Sequence, residues 1–419
     1  MTKFRLFKFA RILLIQDANY QLMAAYDFKD TDQCVMCGLC LPHCPTYAIT
    51  RDEGDSPRGR IALIQALAQE RIDTGNERLA IHLDRCLGCR ACEAMCPSKV
   101  PFMKLMDAAR GALYEHHGKS RYDRYPSMLL DMAGSKTRTR LASGMASLAS
   151  GMGLKGLAGD SGLGQLLGLV PDKTGAEYPH ITEQADASPV FLFSGCMGEL
   201  ADQETIHAAK LVLGALGFRV LDGLEGSCCG AIHRHAGRVE RADELRAQNL
   251  KLFSEHPEAP VLSIASGCAG ELADYPDEVK LRHVEISSFL QQQMAVDRLN
   301  LKSSDARVAL HRPCTHRNVI GNDEHVAELL DAIPGVESED LPLAYGCCGA
   351  GGLNLLTQPE VGATLLDPTI EWLRSNKPDL VVSTNIGCSL HIARSAKEAG
   401  MATEVVHPVT LLARQLKQQ

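Results

Sequence analysis

Residues 34–45 read CVMCGLCLPHCP and residues 86–97 read CLGCRACEAMCP. Each run is C-x-x-C-x-x-C-x-x-x-C-P, four thiols within eleven residues and then a proline. Two-residue spacings let one backbone loop set three thiolates against a face of a [4Fe–4S] cubane. The fourth cysteine of such a run points to a second cluster. Pro45 and Pro97 fix φ and redirect the chain behind it. The spacing therefore predicts one [4Fe–4S] cluster on Cys34, Cys37, Cys40 and Cys96, and another on Cys86, Cys89, Cys92 and Cys44. Zinc favours two separated C-x-x-C pairs and fits these runs poorly.

Between the runs lies SPRGRIALIQALAQERI, residues 56–72. Ser56 suits an N-cap and Pro57 a first helical position. Ile61, Ile64, Leu67 and Ala68 then recur at helical spacing. VPFMKLMDAARGALYEHHG after the second run is also helical in pattern. These features predict a helical two-cluster ferredoxin domain over residues 31–125. His116 and His117 read as surface residues, because two thiolate quartets already satisfy two clusters.

The other eight of the 16 cysteines form a repeat. Cys196, Cys228–Cys229 and Cys268 are followed at offsets of 118, 119 and 120 residues by Cys314, Cys347–Cys348 and Cys388. VFLFSGC pairs with RVALHRPC, SCCGAI with GCCGAG, and VLSIASGC with LVVSTNIGC, three anchors that mark a duplication. Each copy places a short apolar run before a cysteine (Val190–Phe193, Val308–Leu310), then helical stretches around Cys–Cys–Gly. A second such run before a cysteine follows (Val261–Ile264, Leu380–Ser383). Strands alternating with helices imply a parallel sheet covered by helices. Ligands of such sheets sit beyond the carboxyl ends of the strands, where Cys196, Cys268, Cys314 and Cys388 fall. Each copy should thus present four thiols around one pocket. The fold class is a multi-domain α and α/β chain, a helical ferredoxin domain and then two tandem α/β cysteine-rich lobes at 189–295 and 306–415.

The chain has 419 residues and a net charge of −8, which argues against a dedicated nucleic-acid binder. No apolar run reaches the ~18 residues of a membrane span. Within an N-terminal extension, 1–30, Lys3, Arg5, Lys8 and Arg11 mix with Phe and Leu, without the order of a secretory signal. It is open to two readings, an amphipathic membrane-surface helix or an extension ahead of a start at Met23. Residues 126–188 form a Gly/Ala/Leu-rich linker, a flexible connector or a segment with an amphipathic helix for a membrane or partner. Its Gly151-Met-Gly153-Leu-Lys-Gly156 is a chance G-x-G-x-x-G, with no strand before it. These features place the chain in the cytoplasm, with peripheral contact at the inner membrane face as one option.

CVMCGLCLPHCPTY, SPRGRIALI, HLDRCLGCRACEAMCPSKV, ASGCAG and TNIGCSLHI together resemble the iron–sulfur subunit of glycolate oxidase, over nearly all of residues 31–415. The wider superfamily includes lactate-utilisation iron–sulfur proteins, a glycerol-3-phosphate dehydrogenase subunit and heterodisulfide reductase. The resemblance implies an electron-transfer subunit of a glycolate dehydrogenase, itself without a catalytic residue, with FAD on a partner subunit. That partner would oxidise glycolate to glyoxylate, and electrons would go to quinone or another acceptor. A D-lactate or glycerol-3-phosphate dehydrogenase subunit, or a thiol/disulfide oxidoreductase, is the alternative. In heterodisulfide reductase each lobe motif ends in C-x-x-C; here Glu271 and His391 stand at the last position. The thiols Cys196, Cys228, Cys229, Cys268, Cys314, Cys347, Cys348 and Cys388 are thus either a further iron–sulfur centre or a structural set. His311 and His316, flanking Cys314, are candidate extra ligands or pocket residues.

Overall fold

The computed structural model describes residues 26–118, 124–151, 187–221 and 228–417. Most of the N-terminal extension, Gly153 and Gly156 of the glycine match, and linker residues 152–186 lie outside the described residues. The described chain divides into two compact units, one of residues up to 118 together with His233–Val239, the other holding the rest.

The first unit is helical, as expected. Its main helices are α1 (Pro57–Ala68), α2 (Glu77–Asp84) and α3 (Phe102–His117). Ser56 caps α1 by accepting from the Gly59 amide at 2.9 Å, with Pro57 at the first position. Ile61, Ile64 and Leu67 of α1, Leu79 and Leu83 of α2, and Leu105, Met106, Ala109 and Leu113 of α3 fill one apolar core. Gly59 is dictated by close approach, since a Cβ there would lie 1.8 Å from the Glu53 carbonyl oxygen.

The second unit begins with helices Arg124–Ala133 and Lys136–Gly151, in the stretch that sequence composition reads as linker. Its alanines and leucines favour helix over coil. The second of these helices is tied to the short helix Cys196–Ala201 by Arg140, whose Nε meets the buried Glu199 carboxylate at 2.7 Å.

Two four-stranded parallel sheets follow. In the first, β1 (Ser188–Phe193) is flanked by β2 (Phe218–Leu221) and β3 (Val261–Ser263), with β4 (His283–Glu285) outside β3. The second repeats the order with β5 (Arg307–His311), β6 (Glu337–Asp340), β7 (Leu380–Ser383) and β8 (Glu404–Val406). The sequence marks the central strands; β4 (HVE) and β6 (ESED) carry little apolar pattern, and β2 and β8 are only four and three residues long.

Covering helices include α4 (Gln203–Ala215), α5 (Val239–Phe253), α6 (Ile286–Gln292), α7 (Glu324–Asp331), α8 (Pro359–Asn376), α9 (Ile386–Glu398) and α10 (Pro408–Arg414). The last helix of each lobe crosses to the other: α10 packs on α4, and α6 packs on α7. One apolar core therefore runs through both lobes, from Val190 and Val212 to Leu329 and Leu412. Thr205 and Thr410 are hydrogen-bonded at 2.9 Å, and Arg414 meets Glu204 at 2.8 Å.

Candidate iron–sulfur sites

In the first unit, one open cavity is lined by Cys34, Cys37, Cys40 and Cys96, with Cys92 also on its wall. A second is lined by Cys44, Cys86, Cys89 and Cys92. Each cavity thus gathers three cysteines of one run and the last cysteine of the other. The loops share a backbone trick: Met36 and Gly38 have φ of 57° and 83°, and Gly88 and Arg90 have 63° and 56°. Left-handed residues at matching places curl the chain around a centre. Burial, then the Cys89 and Cys86 sulfurs, push the Cys92 thiol well up. Sulfurs this close ionise together only around positive charge, which suits a metal cluster.

Groups behind the loops hold them. Asp55 is fully buried and meets His82 Nδ1 and Arg85 Nη1, each at 2.9 Å, and Arg60 Nη2 at 3.6 Å. Burial pushes its carboxyl up, but His82, Arg60 and Arg85 more than offset this and leave it below the ordinary value. Arg60 also donates to the Asp55 carbonyl and to Thr46 Oγ1, and Thr46 Oγ1 lies 3.3 Å from Cys44 Sγ. Arg110 Nη2 donates to the carbonyls of Leu83 (2.8 Å) and Cys86 (2.7 Å). Asp52, Asp55 and His82 bring ligand atoms within 4.8 Å of one another, but the guanidinium groups on Asp55 disfavour a cation there. His116 is exposed, and His117 donates from Nε2 to the Thr74 carbonyl at 3.0 Å. His235 belongs to this unit as well, with Nδ1 3.0 Å from Asp107.

In the first lobe Cys196, Cys228, Cys229 and Cys268 converge. The Cys228 thiol is pushed well up by its hydrogen bond with Cys196, then by burial. Cys268 is pushed up by Cys229, then by burial and the other two sulfurs. Asn249 Nδ2 donates to the Cys228 carbonyl at 2.9 Å, and Tyr275 donates to the Cys229 carbonyl at 2.8 Å. Glu271, where the related motif has its last cysteine, lies 3.6 Å from Arg246.

In the second lobe, Cys347 and Cys314 sulfurs are 4.0 Å apart. Cys348 and Cys388 lie within 4.8 Å of each other and of a ring nitrogen of His311. His391 is not among the ligand atoms gathered there, and its Nδ1 donates to the Cys348 carbonyl at 2.7 Å. Burial pulls His311 down to about 3, so its imidazole is neutral. His316 turns elsewhere, Nδ1 3.0 Å from Thr384 Oγ1.

The sequence exposes every thiol but misses the supports. Arg60, Arg85, Arg110, Asn249 and Tyr275 show no spacing signal; only the SPRGR stretch points at Arg60.

Residues 30–100 match the model of the 4Fe-4S dicluster domain. Residues 190–273 and 308–393 match that of the cysteine-rich domain. Fold and thiol geometry define an iron–sulfur protein that carries [4Fe–4S] clusters, with a dicluster domain and two cysteine-rich domains in one chain. Among its curated relatives are subunits of an oxidoreductase. The chain is 29% identical to the glycolate oxidase iron-sulfur subunit of Escherichia coli, over 92% of this chain and 94% of that one. It is 28% identical to a probable glycolate oxidase iron-sulfur subunit of Bacillus subtilis, over 90% and 92%. Lactate utilization protein A of Oceanobacillus iheyensis is 24% identical over 53% of this chain and 96% of its own length.

Proposed function

We propose that this chain is the electron-relay subunit of a glycolate-oxidising complex. The observation that carries the reading is the pair of cavities, each lined by three cysteines of one run and the last of the other, in a chain alike over about nine-tenths of its length to glycolate oxidase iron–sulfur subunits. Cys34, Cys37, Cys40 and Cys96 hold one [4Fe–4S] cluster; Cys86, Cys89, Cys92 and Cys44 hold the other. Such clusters supply one-electron redox steps. Oxidation of glycolate to glyoxylate removes two electrons and two protons and calls for a flavin, here on a partner FAD subunit. The acceptor is a quinone or another electron carrier. Among the described residues, no helix is long and apolar enough to cross a membrane.

The chain's own contribution is to bind, orient and tune. Arg110 pins the start of the second cysteine loop through the Cys86 carbonyl. Thr46 sits against Cys44 and is held by Arg60. Hydrogen bonds of this kind to ligand sulfurs raise a cluster's potential.

The test is anaerobic purification with and without the co-purifying flavoprotein. Alone, the chain should hold at least about eight irons, show cluster signals by electron paramagnetic resonance after chemical reduction, and ignore glycolate. With the flavoprotein, glycolate should reduce the clusters. Reduction of the isolated chain by glycolate would sink the division of labour. Reduction of the complex by lactate but not glycolate would move the substrate to lactate.

A further inference from the structure

The two lobes are duplicates, so what differs between them at matching positions is informative. Cys314 follows Cys196 by 118 residues, and the same offset pairs His311 with Phe193 and Arg317 with Glu199. Phe193 is an ordinary core residue packed on Phe253, ring centroids 6.2 Å apart. His311 ends β5 and is only 1% exposed. Its Nδ1 is held by Ser383 Oγ of the neighbouring β7 at 2.9 Å. Its Nε2 is buried without a hydrogen-bond partner. Buried polar atoms are seldom left so, and an orphan asks for a ligand.

That ring stands among sulfurs. Its ligand atom lies within 4.8 Å of Cys348 Sγ and Cys388 Sγ, and Cys314 and Cys347 complete the set. Locked by Ser383, the neutral imidazole is oriented as metal-bound histidines are by their second nitrogen. The first lobe lacks this ring: Phe193 stands where His311 does, and Glu199, ion-paired with Arg140, stands where Arg317 does.

We propose that the second lobe binds a third iron–sulfur centre with mixed ligation, in which His311 Nε2 coordinates iron beside Cys314, Cys347, Cys348 and Cys388, and that the first lobe has no such centre. Five donors exceed what a tetrahedral zinc accepts and suit a centre of more than one iron. A neutral imidazole as the fifth donor gives the centre a higher potential than a fifth thiolate in that place would. This goes beyond the relay reading and rests on it only for the iron–sulfur chemistry.

The test uses the full chain, reconstituted anaerobically, with no partner. Iron content should exceed the about eight of the ferredoxin unit. Electron–nuclear double resonance should find strongly coupled ¹⁴N on a signal distinct from the two cubanes, replaced by ¹⁵N in histidine-labelled protein. That measurement needs no substitution and stands whether or not a variant folds. His311→Ala should lose the nitrogen coupling and the excess iron while keeping the two-cluster signals. His311→Cys should keep the iron, lose the coupling and lower that centre's potential. Iron near eight with no coupled nitrogen, or zinc in the lobe, overturns the proposal and leaves the relay reading standing. Absence of the two-cluster signals would sink both.

Discussion

Asp55 illustrates how a single residue behind the cysteine loops governs a site, its carbonyl 3.7 Å from Cys44 Sγ and its carboxylate turned to the supports. Its carboxylate is sealed from water and answered by Arg60, Arg85 and His82. Removing Arg60 leaves a buried charge short of a partner, and breaking buried pairs this way costs about 3–5 kcal/mol. Arg60→Gln should therefore lower the midpoint of denaturant unfolding of the first unit and speed cluster loss, followed as bleaching of cluster absorbance. A second buried residue gives a pH prediction in the lobes. His407 Nε2 donates to the Ile264 carbonyl at 3.0 Å, and Nδ1 accepts from the Val409 amide at 3.1 Å, which fixes a neutral ring. Burial pulls it down to about 3. A histidine depressed in the folded state adds stability above its unfolded value near 6.5, and that share drains as pH falls toward the folded value. Lobe stability should thus fall by about 1.4 kcal/mol per pH unit below 6.5 through this group. Chemical denaturation at pH 7.5 and 5.5 should show a smaller difference for His407→Gln than for the natural chain.

At the scale of elements, α1 shows how far a sequence can be read. Its apolar spacing, its Ser56 cap and its Pro57 start are local features, and all three are visible in the chain. The reason for Gly59 is not local in that sense, because the constraint comes from the Glu53 carbonyl in the turn that precedes the helix. Gly59→Ala should be far worse than a helix-propensity scale suggests, where alanine is favoured. The expected result is a chain depleted in iron, against a loss of about 1 kcal/mol and near-full iron for Ser56→Ala, which removes the cap and a hydrogen bond to Glu53. Iron per chain after reconstitution reports both. The same contrast separates the strands. β5 and β7 are apolar and central, hence legible. β6 is the acidic ESED, a strand only because β5 pairs with it along Arg307–Leu310. Short edge strands hold by backbone pairing on one side, and their side chains need not announce it. The cysteines were legible because thiol spacing is itself the chemistry. The hydrogen-bonding residues behind them were not, since they reach the loops from distant elements such as α3 and α5.

For the second unit as a whole, duplication suggests two separable lobes, and the packing argues otherwise. Each lobe's final helix covers the other lobe, so neither buries its own apolar faces unaided. Leu412 of α10 is fully buried in the shared core although it lies at the far end of the chain from α4, on which α10 packs. Leu412→Ala removes about 2–5 kcal/mol through lost transfer energy and the cavity left behind. If the lobes fold as one cooperative body, that loss is felt by both. Hydrogen exchange followed by mass spectrometry should show faster exchange in peptides from α4 and β1 as well as from α10 and β8. Acceleration confined to residues beyond 300 would mean that the lobes open independently, and that the common core is only a contact between two finished domains.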